Sequence, residues 1–410
     1  MADYKVFNMG SNLRDLFLTF KPLHIQKKMR IKHMHEFELG PIRPPSEAYS
    51  VLLRVTRNCP WNKCAFCPVY KGGKFSLRSV EEIKADIDSM HYIVQRIGSR
   101  TYQENSTGYI NEEIIEKLVS EDGINPHYLQ QILFWMHFGM RSLFLQDADS
   151  MVLKPADLVD ILGYIRSKFP TIERITCYTR SKTLVARSPE DLLAIRKAGL
   201  NRIHIGMESG SDNVLWMINK GVKADEHISS GKKVIDAGFE LSEYYMPGLG
   251  GRDYAEENAI ETARVLNAIN PSFIRIRTTT PVPGTELHKM MQRGEWLPMT
   301  EMEKVQEIYN MISALEGITS FIQSDHIMNL IEDANGKLPK DREAILAPLE
   351  RFIKMDIEES ECFIAARRTG SIRLLADYRG NGEFSELRER LVRSYGSIDN
   401  AAQELSGRTL

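Results

Sequence analysis

Short apolar runs and longer amphipathic stretches alternate along the chain from about Ser50 onward. The runs are five or six residues long and rich in β-branched and aromatic side chains, the pattern of buried strands. They read Val51–Thr56, Ser142–Gln146, Arg174–Tyr178, Arg202–Gly206, Leu241–Met246 and Phe273–Arg277. Between them the apolar positions recur at helical spacing over Val80–Ile97, Pro155–Lys168, Pro189–Ala198, Asp225–Ala237 and Ala255–Ile269. Ser79 and Ser188 stand where helix N-caps belong, and Gly199 and Gly238 stand where helices stop. Strand–helix alternation of this kind predicts parallel strands joined by right-handed crossovers. Six such units are too few for an eight-stranded barrel and fit a partial, open (β/α)6 barrel.

Two stretches break the rhythm. Extra helix, Asn111–Glu121 and Tyr128–Met140, is inserted over about 98–140, between the first two strands. After Pro283 the strand pattern stops, and the remainder reads as helices and loops. The chain is therefore read as an α/β protein with an N-terminal extension (1–50), a barrel (51–285) and a helical C-terminal region (286–410). No repeat of fixed period, low-complexity tract or linker interrupts it.

Composition narrows the class. The chain has 410 residues, 42% of them hydrophobic and 26% charged, a balance that builds a large core without staples. The net charge of −2 gives no global footprint for nucleic acid and disfavours that partner. The N-terminus lacks the apolar region of a secretory signal, and no apolar run approaches the roughly 18–20 residues that span a bilayer. A cytoplasmic protein is expected. A basic amphipathic stretch, Leu13–His33, carries Lys27, Lys28, Arg30 and Lys32. It fits a helix packed on the domain better than a membrane-surface anchor, so a membrane partner is disfavoured without being ruled out.

Cysteine usage changes the picture more. Of five cysteines, Cys59, Cys64 and Cys67 form a C-x4-C-x2-C loop directly after the first strand. An odd count with three thiols in nine residues argues against disulfides and for a metal. A structural zinc needs four protein ligands, as do most electron-transfer iron–sulfur clusters. Three thiols on one loop suit a cubane with one iron left open. The alternative is a zinc or thiol-redox loop that recruits His33 or Cys177 as a fourth ligand.

The segment VTRNCPWNKCAFCPVYKGG resembles the cluster loop of the radical S-adenosylmethionine (SAM) superfamily, and the resemblance extends over Val51–Gly284. It implies a [4Fe–4S] cluster on Cys59, Cys64 and Cys67. The open iron would chelate SAM, and one-electron cleavage would give a 5′-deoxyadenosyl radical that takes hydrogen from a substrate. The usual family spacing is C-x3-C-x2-C, so the first gap here, Pro60 to Lys63, is one residue longer. Phe66 matches the aromatic residue near the adenine.

Strand ends supply the other half of a SAM site, since barrel function collects at the C-terminal ends of strands. Gln146, Asp147 and Asp149 end the second strand, where an acid would meet the SAM ammonium; Asp149 is alternatively a helix cap. Arg180 ends the third and suits the SAM carboxylate, or else a surface ion pair. Glu208 and Ser209 end the fourth in a stretch similar to the family's GxESG. Gly248 and Gly250 end the fifth and would let backbone approach the nucleoside. After the sixth, Pro281–Thr285 looks like the PxPGT turn of oxygen-independent coproporphyrinogen oxidase relatives, or is simply a tight turn. That enzyme's further cysteine after the triad is replaced by Pro68, Val69 and Tyr70.

Residues of the remaining chain are candidates for substrate chemistry. Tyr244 and Tyr245 alternate, so one faces inward. The segment Ser324–Asn329 also resembles a stretch found after the barrel in family members. His326 lies in it, and Asp325, His326 and Asn329 fall within about one helical turn. Cys362 is a hydrogen donor or a small hydrophobe, and Cys177 is read as core. The expected partner is a small organic substrate, with a flavodoxin or ferredoxin as reductant by resemblance. Rival readings are an RNA-modifying enzyme and a non-catalytic iron–sulfur or haem chaperone on the same fold.

Overall fold

A computed structural model describes residues 35–104, 110–380 and 382–407. The basic stretch Leu13–His33, with His33, lies outside the described residues. The described chain is mixed α/β with a mostly parallel eight-stranded sheet, and it divides into two compact units.

Among the described residues, the first unit comprises 35–57, Phe75–Cys177 and Lys197–Asn201. Strand β1 (Val51–Arg54) lies parallel to β4 (Ser142–Gln146), and β4 lies parallel to β5 (Arg174–Thr179). A two-residue ribbon pairs β2 (Thr56–Arg57) with β3 (Ser76–Leu77). Helices α1 (Val80–Glu104), α2 (Glu112–Ser120), α3 (Pro126–His137) and α4 (Pro155–Lys168) complete it. Ser79 caps α1 through a reciprocal box: its Oγ accepts from the Glu82 N–H at 3.1 Å, and the Glu82 carboxylate accepts from the Ser79 N–H at 2.8 Å. Near-continuous apolar strands such as Ser142–Gln146 bury both faces, as parallel sheets require. Trp135 fills the core against Phe169 and donates its indole N–H to the Ser142 carbonyl at 2.8 Å.

The second unit holds Asn58–Lys74, Tyr178–Arg196 and the chain from Arg202 on. Its elements are α5 (Ser181–Val185), α6 (Pro189–Ala198), β6 (Arg202–Glu208), α7 (Asp212–Met217), α8 (Ala224–Asp236), β7 (Glu240–Tyr245), α9 (Ala255–Ile269) and β8 (Phe273–Ile276). Strands β6, β7 and β8 are parallel neighbours. Helices α10 (Glu286–Gln292) and α11 (Glu301–Ser313) follow. Two strands then appear where the sequence pattern predicted none: β9 (Phe321–Gln323), parallel to β8, and β10 (Gly336–Lys337), antiparallel to β9. At three and two residues they are too short to show a period of two. The remaining helices are α12 (Arg342–Ile353), α13 (Ile357–Arg368), α14 (Ser385–Tyr395) and α15 (Ile398–Gly407).

The Ser324–Asn329 segment is not helical, so Asp325, His326 and Asn329 do not share a helix face. Asn329 organises it as a loop. Its amide oxygen accepts from the backbone and hydroxyl of Thr278, and its amide nitrogen donates to Ile276 and Ser324.

Candidate functional site

The loop Asn58–Lys74 carries all three clustered cysteines as free, half-buried thiols. Ala65, between the last two, is its anchor. Its N–H donates to the Ile218 carbonyl at 2.8 Å, and its carbonyl accepts from the Leu287 N–H at 2.9 Å. Ala65 packs in one apolar cluster with Val214, Ile218, Met246, Leu249, Leu287 and Trp296, and Phe66 lies against that cluster. Elements after β6, β7 and β8 therefore grip the loop together.

Charge gathers around Cys64. Burial pushes its thiol up; Lys220 and Arg180 oppose that shift, while Glu208 and Cys67 add to it. The Lys220 ammonium is buried, pairs with Glu208 at 2.9 Å and sits 5.9 Å from the Phe66 ring centroid. Burial lowers the Lys220 pKa, but the Glu208 and Cys64 charges outweigh it and hold the ammonium charged. Arg180 donates to the Lys220 carbonyl at 2.8 Å. Glu208 has φ +68°, which aims its carboxylate back at Lys220; a Cβ on Gly206 would stand 2.2 Å from that carboxylate.

The GxESG-like turn is fixed from behind. The Gly210 N–H donates to Thr262 Oγ1 at 2.8 Å, and Ser209 Oγ accepts from the Ser211 N–H at 3.0 Å. A Cβ on Gly210 would lie 2.3 Å from the Glu261 carbonyl oxygen, so only glycine lets this turn meet α9. The Gly248 N–H donates to Glu307 at 2.9 Å, and a Cβ on Gly250 would lie 2.9 Å from that of Tyr254. Thr285 caps α10, so the Pro281–Thr285 stretch is a helix entry as well as a turn.

Gln146, Asp147 and Asp149 belong to the first unit. Gln146 binds the Gly40 N–H and the Ile42 carbonyl. Asp147 accepts from Arg54 Nε at 2.9 Å and Nη2 at 2.6 Å. Asp149 is fully buried and makes no side-chain cap bond to the short turn that follows. Cys177, fully buried in β5, has its thiol pushed up by burial and by the Asp149 charge.

The tyrosine pair splits as alternation requires. Tyr245 is fully buried and donates to Glu307 on α11 at 2.6 Å. Tyr244 faces the other way. Its ring lies 6.2 Å from Tyr178 and 5.7 Å from His204, and Tyr178 lies 5.5 Å from His204. Register places Arg275 of β8 beside Tyr244, and Arg275 donates to Ser242 at 3.0 Å with Asp325 3.7 Å away. His326 accepts from the Met328 N–H at 3.2 Å; burial first, then Arg277, pull its pKa down to about 4. Cys362 lies in α13 near Ser385, at 3.9 Å, among the C-terminal helices.

Sequence reasoning missed Lys220, Glu243 and His204. Glu243 is fully buried, and neither carboxylate oxygen has a hydrogen-bond partner among the described residues. Burial and the Glu208 charge push its carboxyl well up. In sequence it sits inside an apolar run, LSEYYM, and a lone acid in such a strand is the one signal that was available. The donor set fits both cofactors implied by the sequence: three thiols with cations beside them, and a buried, unpartnered carboxyl near the Glu208–Lys220 pair for a polar ligand. Among the described residues no three His, Cys, Asp or Glu side chains close on a single metal ion.

The chain is similar to known proteins in family and in fold. Residues 53–263, just over half of the chain, match the model of the radical SAM superfamily. The tRNA uridine(34) acetyltransferase of Methanocaldococcus jannaschii is 22% identical over 282 residues, 65% of this chain and 49% of that protein. The heme chaperone HemW of Bacillus subtilis is 29% identical over 139 residues, 32% of this chain and 36% of that protein. Among solved structures, N-terminally truncated Elp3 of Methanocaldococcus infernus has a TM-score of 0.38 at 18% identity, covering 58% of this chain and 57% of that one. The chain spans about half the length of the archaeal curated relatives it matches. The chain belongs to the radical SAM superfamily, whose cofactors are a [4Fe–4S] cluster and S-adenosylmethionine.

Proposed function

We propose that Cys59, Cys64 and Cys67 hold the cluster, and that Phe66, Arg180, Glu208, Ser209 and the Gly248–Gly250 turn hold SAM. The observation that carries this reading is the buried Lys220–Glu208 pair set beside Phe66 of the cysteine loop, with Arg180 bonded to the Lys220 carbonyl. Thiolates need nearby positive charge, and Lys220 with Arg180 supplies it. An amino-acid ligand needs a cation for its carboxylate and an anion for its ammonium, and Arg180 and Glu208 offer that pair. When bound, the cofactors supply a carbon-centred radical by one-electron cleavage of SAM.

Tyr178, His204, Tyr244 and Arg275 form the substrate wall: three rings with a buried guanidinium beside them. Such a wall suits a planar organic molecule that carries acceptor oxygens. His326 and Tyr244 are the candidates for contacting it. A small molecule satisfies it, and the net charge of −2 points that way. The second reading, an RNA base, is favoured by the relatives named tRNA uridine(34) acetyltransferase. It revises the low weight that the charge balance gives to nucleic acid, because unstacked bases are also read by aromatic faces and arginine. No described helix is long and apolar enough to cross a membrane. By the family resemblance, a flavodoxin or ferredoxin would supply the electron and the cytoplasm would be the enzyme's compartment.

The test is anaerobic: 5′-deoxyadenosine is quantified after cluster reconstitution, SAM addition and reduction, against Cys64→Ala. Product in the wild type alone supports the reading. A cluster that binds SAM without cleaving it turns the reading toward a chaperone, and a loop that holds zinc overturns it. Stimulation by tRNA that fades steeply with salt selects the RNA reading.

A further inference from the structure

We propose that Trp61 and Asn62, the central residues of the lengthened first cysteine gap, are positioning residues that lock Cys59 to the turn carrying Lys220. The inference rests on the cluster reading above and goes beyond it, since neither residue is a ligand.

The extra residue has to be folded away, and Asn62 does this. Its φ of +48° lies in the left-handed region, which asparagine tolerates better than other residues with a side chain. Its amide then donates to the Tyr70 carbonyl at 2.6 Å and the Gly73 carbonyl at 3.3 Å, tying the gap to the far limb of the same loop. The turn also points the Asn62 backbone N–H at Cys59 Sγ, 3.4 Å away. Hydrogen bonds to ligand sulfurs tune both affinity and potential in iron–sulfur sites.

Trp61 fixes the opposite side. Its indole N–H donates to the Asn219 carbonyl at 2.7 Å. Its ring lies against Gly221, where a Cβ would stand 2.4 Å from the ring. The Arg180 guanidinium sits 5.1 Å from the ring centroid and donates onward to the Lys220 carbonyl. Asn219 and Gly221 both have positive φ, +52° and +70°, so the receiving turn is specialised for this contact. A tryptophan that only covered surface would need neither the directed N–H bond nor a glycine under its ring. The longer gap thus reaches across to the same turn whose Lys220 pairs with Glu208.

The test uses the full chain reconstituted with its cluster. Iron release to a chelator and the cluster midpoint potential are measured beside the thermal midpoint of the whole chain. Trp61→Ala is expected to release iron roughly tenfold faster, within the range seen when residues behind metal ligands are lost, with the thermal midpoint nearly unchanged. Trp61→Phe keeps the stack, loses the N–H and falls between. Gly221→Ala displaces the ring from below and reproduces the fast release, and the double variant Trp61→Ala/Gly221→Ala releases iron no faster than either single one. Wild-type release from Trp61→Ala, or faster release matched by a proportionate fall in thermal midpoint, overturns the proposal. Iron content and absorbance of the wild type are read first. A wild type that binds no cluster sinks the cluster reading and this inference with it, whereas a loaded wild type with indifferent variants sinks the inference alone.

Discussion

Glu307 shows what a single buried carboxyl does here. It accepts from Tyr245, Asn258 and the Gly248 N–H, yet burial outweighs these bonds and lifts its pKa to about 7. A carboxyl raised in the folded state binds its proton more tightly there than in the unfolded chain. Its contribution to stability is therefore full below about pH 4.5 and is lost as pH rises through about 7, a change on the order of 1–3 kcal/mol. Urea unfolding of Glu307→Gln, compared with wild type at pH 5 and pH 8, should remove that part of the slope; parallel profiles would contradict it. The Glu208–Lys220 pair makes a second case. Lys220→Met leaves the Glu208 charge buried beside Glu243 with no cation at its oxygen, and a loss of about 3–5 kcal/mol is expected. Adding Glu208→Gln should return much of it. A double variant as unstable as Lys220→Met would place the loss in packing instead.

Elements separate what the sequence made legible from what it hid. Helices Pro155–Lys168, Pro189–Ala198 and Ala255–Ile269 and strand Ser142–Gln146 stand at their predicted bounds, because each helix carries an apolar face and the strand an unbroken apolar run. Ser79 was readable as a cap for the same reason. The strands β9 and β10 were not, since long-range pairing makes them, β9 with β8 and β10 with β9, and no local pattern does. The cysteine loop was readable from spacing, as was Glu208 from its motif. Lys220 was not, because its role comes from a turn twelve residues beyond Glu208 folding back onto it. Glycines test the element scale directly. Gly210→Ala drives a Cβ into the backbone of α9, which cannot swing aside, so a loss above about 2 kcal/mol is expected. Gly238, with φ +81° and nothing within 4 Å, should cost only the left-handed strain of about 1–2 kcal/mol on the same change. Equal losses in chemical denaturation would refute the distinction.

At the scale of the molecule, the division of the chain decides where cofactor binding is felt. The cluster loop, 58–74, is flanked in sequence by the first unit, yet its contacts place it in the second. Ala65 is held by Ile218 and Leu287, and Trp61 by Asn219, all residues of that unit. A ligand bound only by the folded state stabilises the part of the molecule that must be ordered to bind it. Cluster loading should therefore slow amide exchange at Ala65 and Leu287, whose N–H bonds to the Ile218 and Ala65 carbonyls break when the loop opens. Exchange along α1 and α2 in the first unit should stay the same. SAM added to the loaded chain should extend the protection to the turns after β6 and β7, where Glu208, Ser209 and Gly248 lie. Hydrogen exchange read by mass spectrometry, with and without the cluster, measures each of these segments at once. Protection spread evenly over both units would mean that the loop opens only by global unfolding, and the division of the chain would then carry no functional weight.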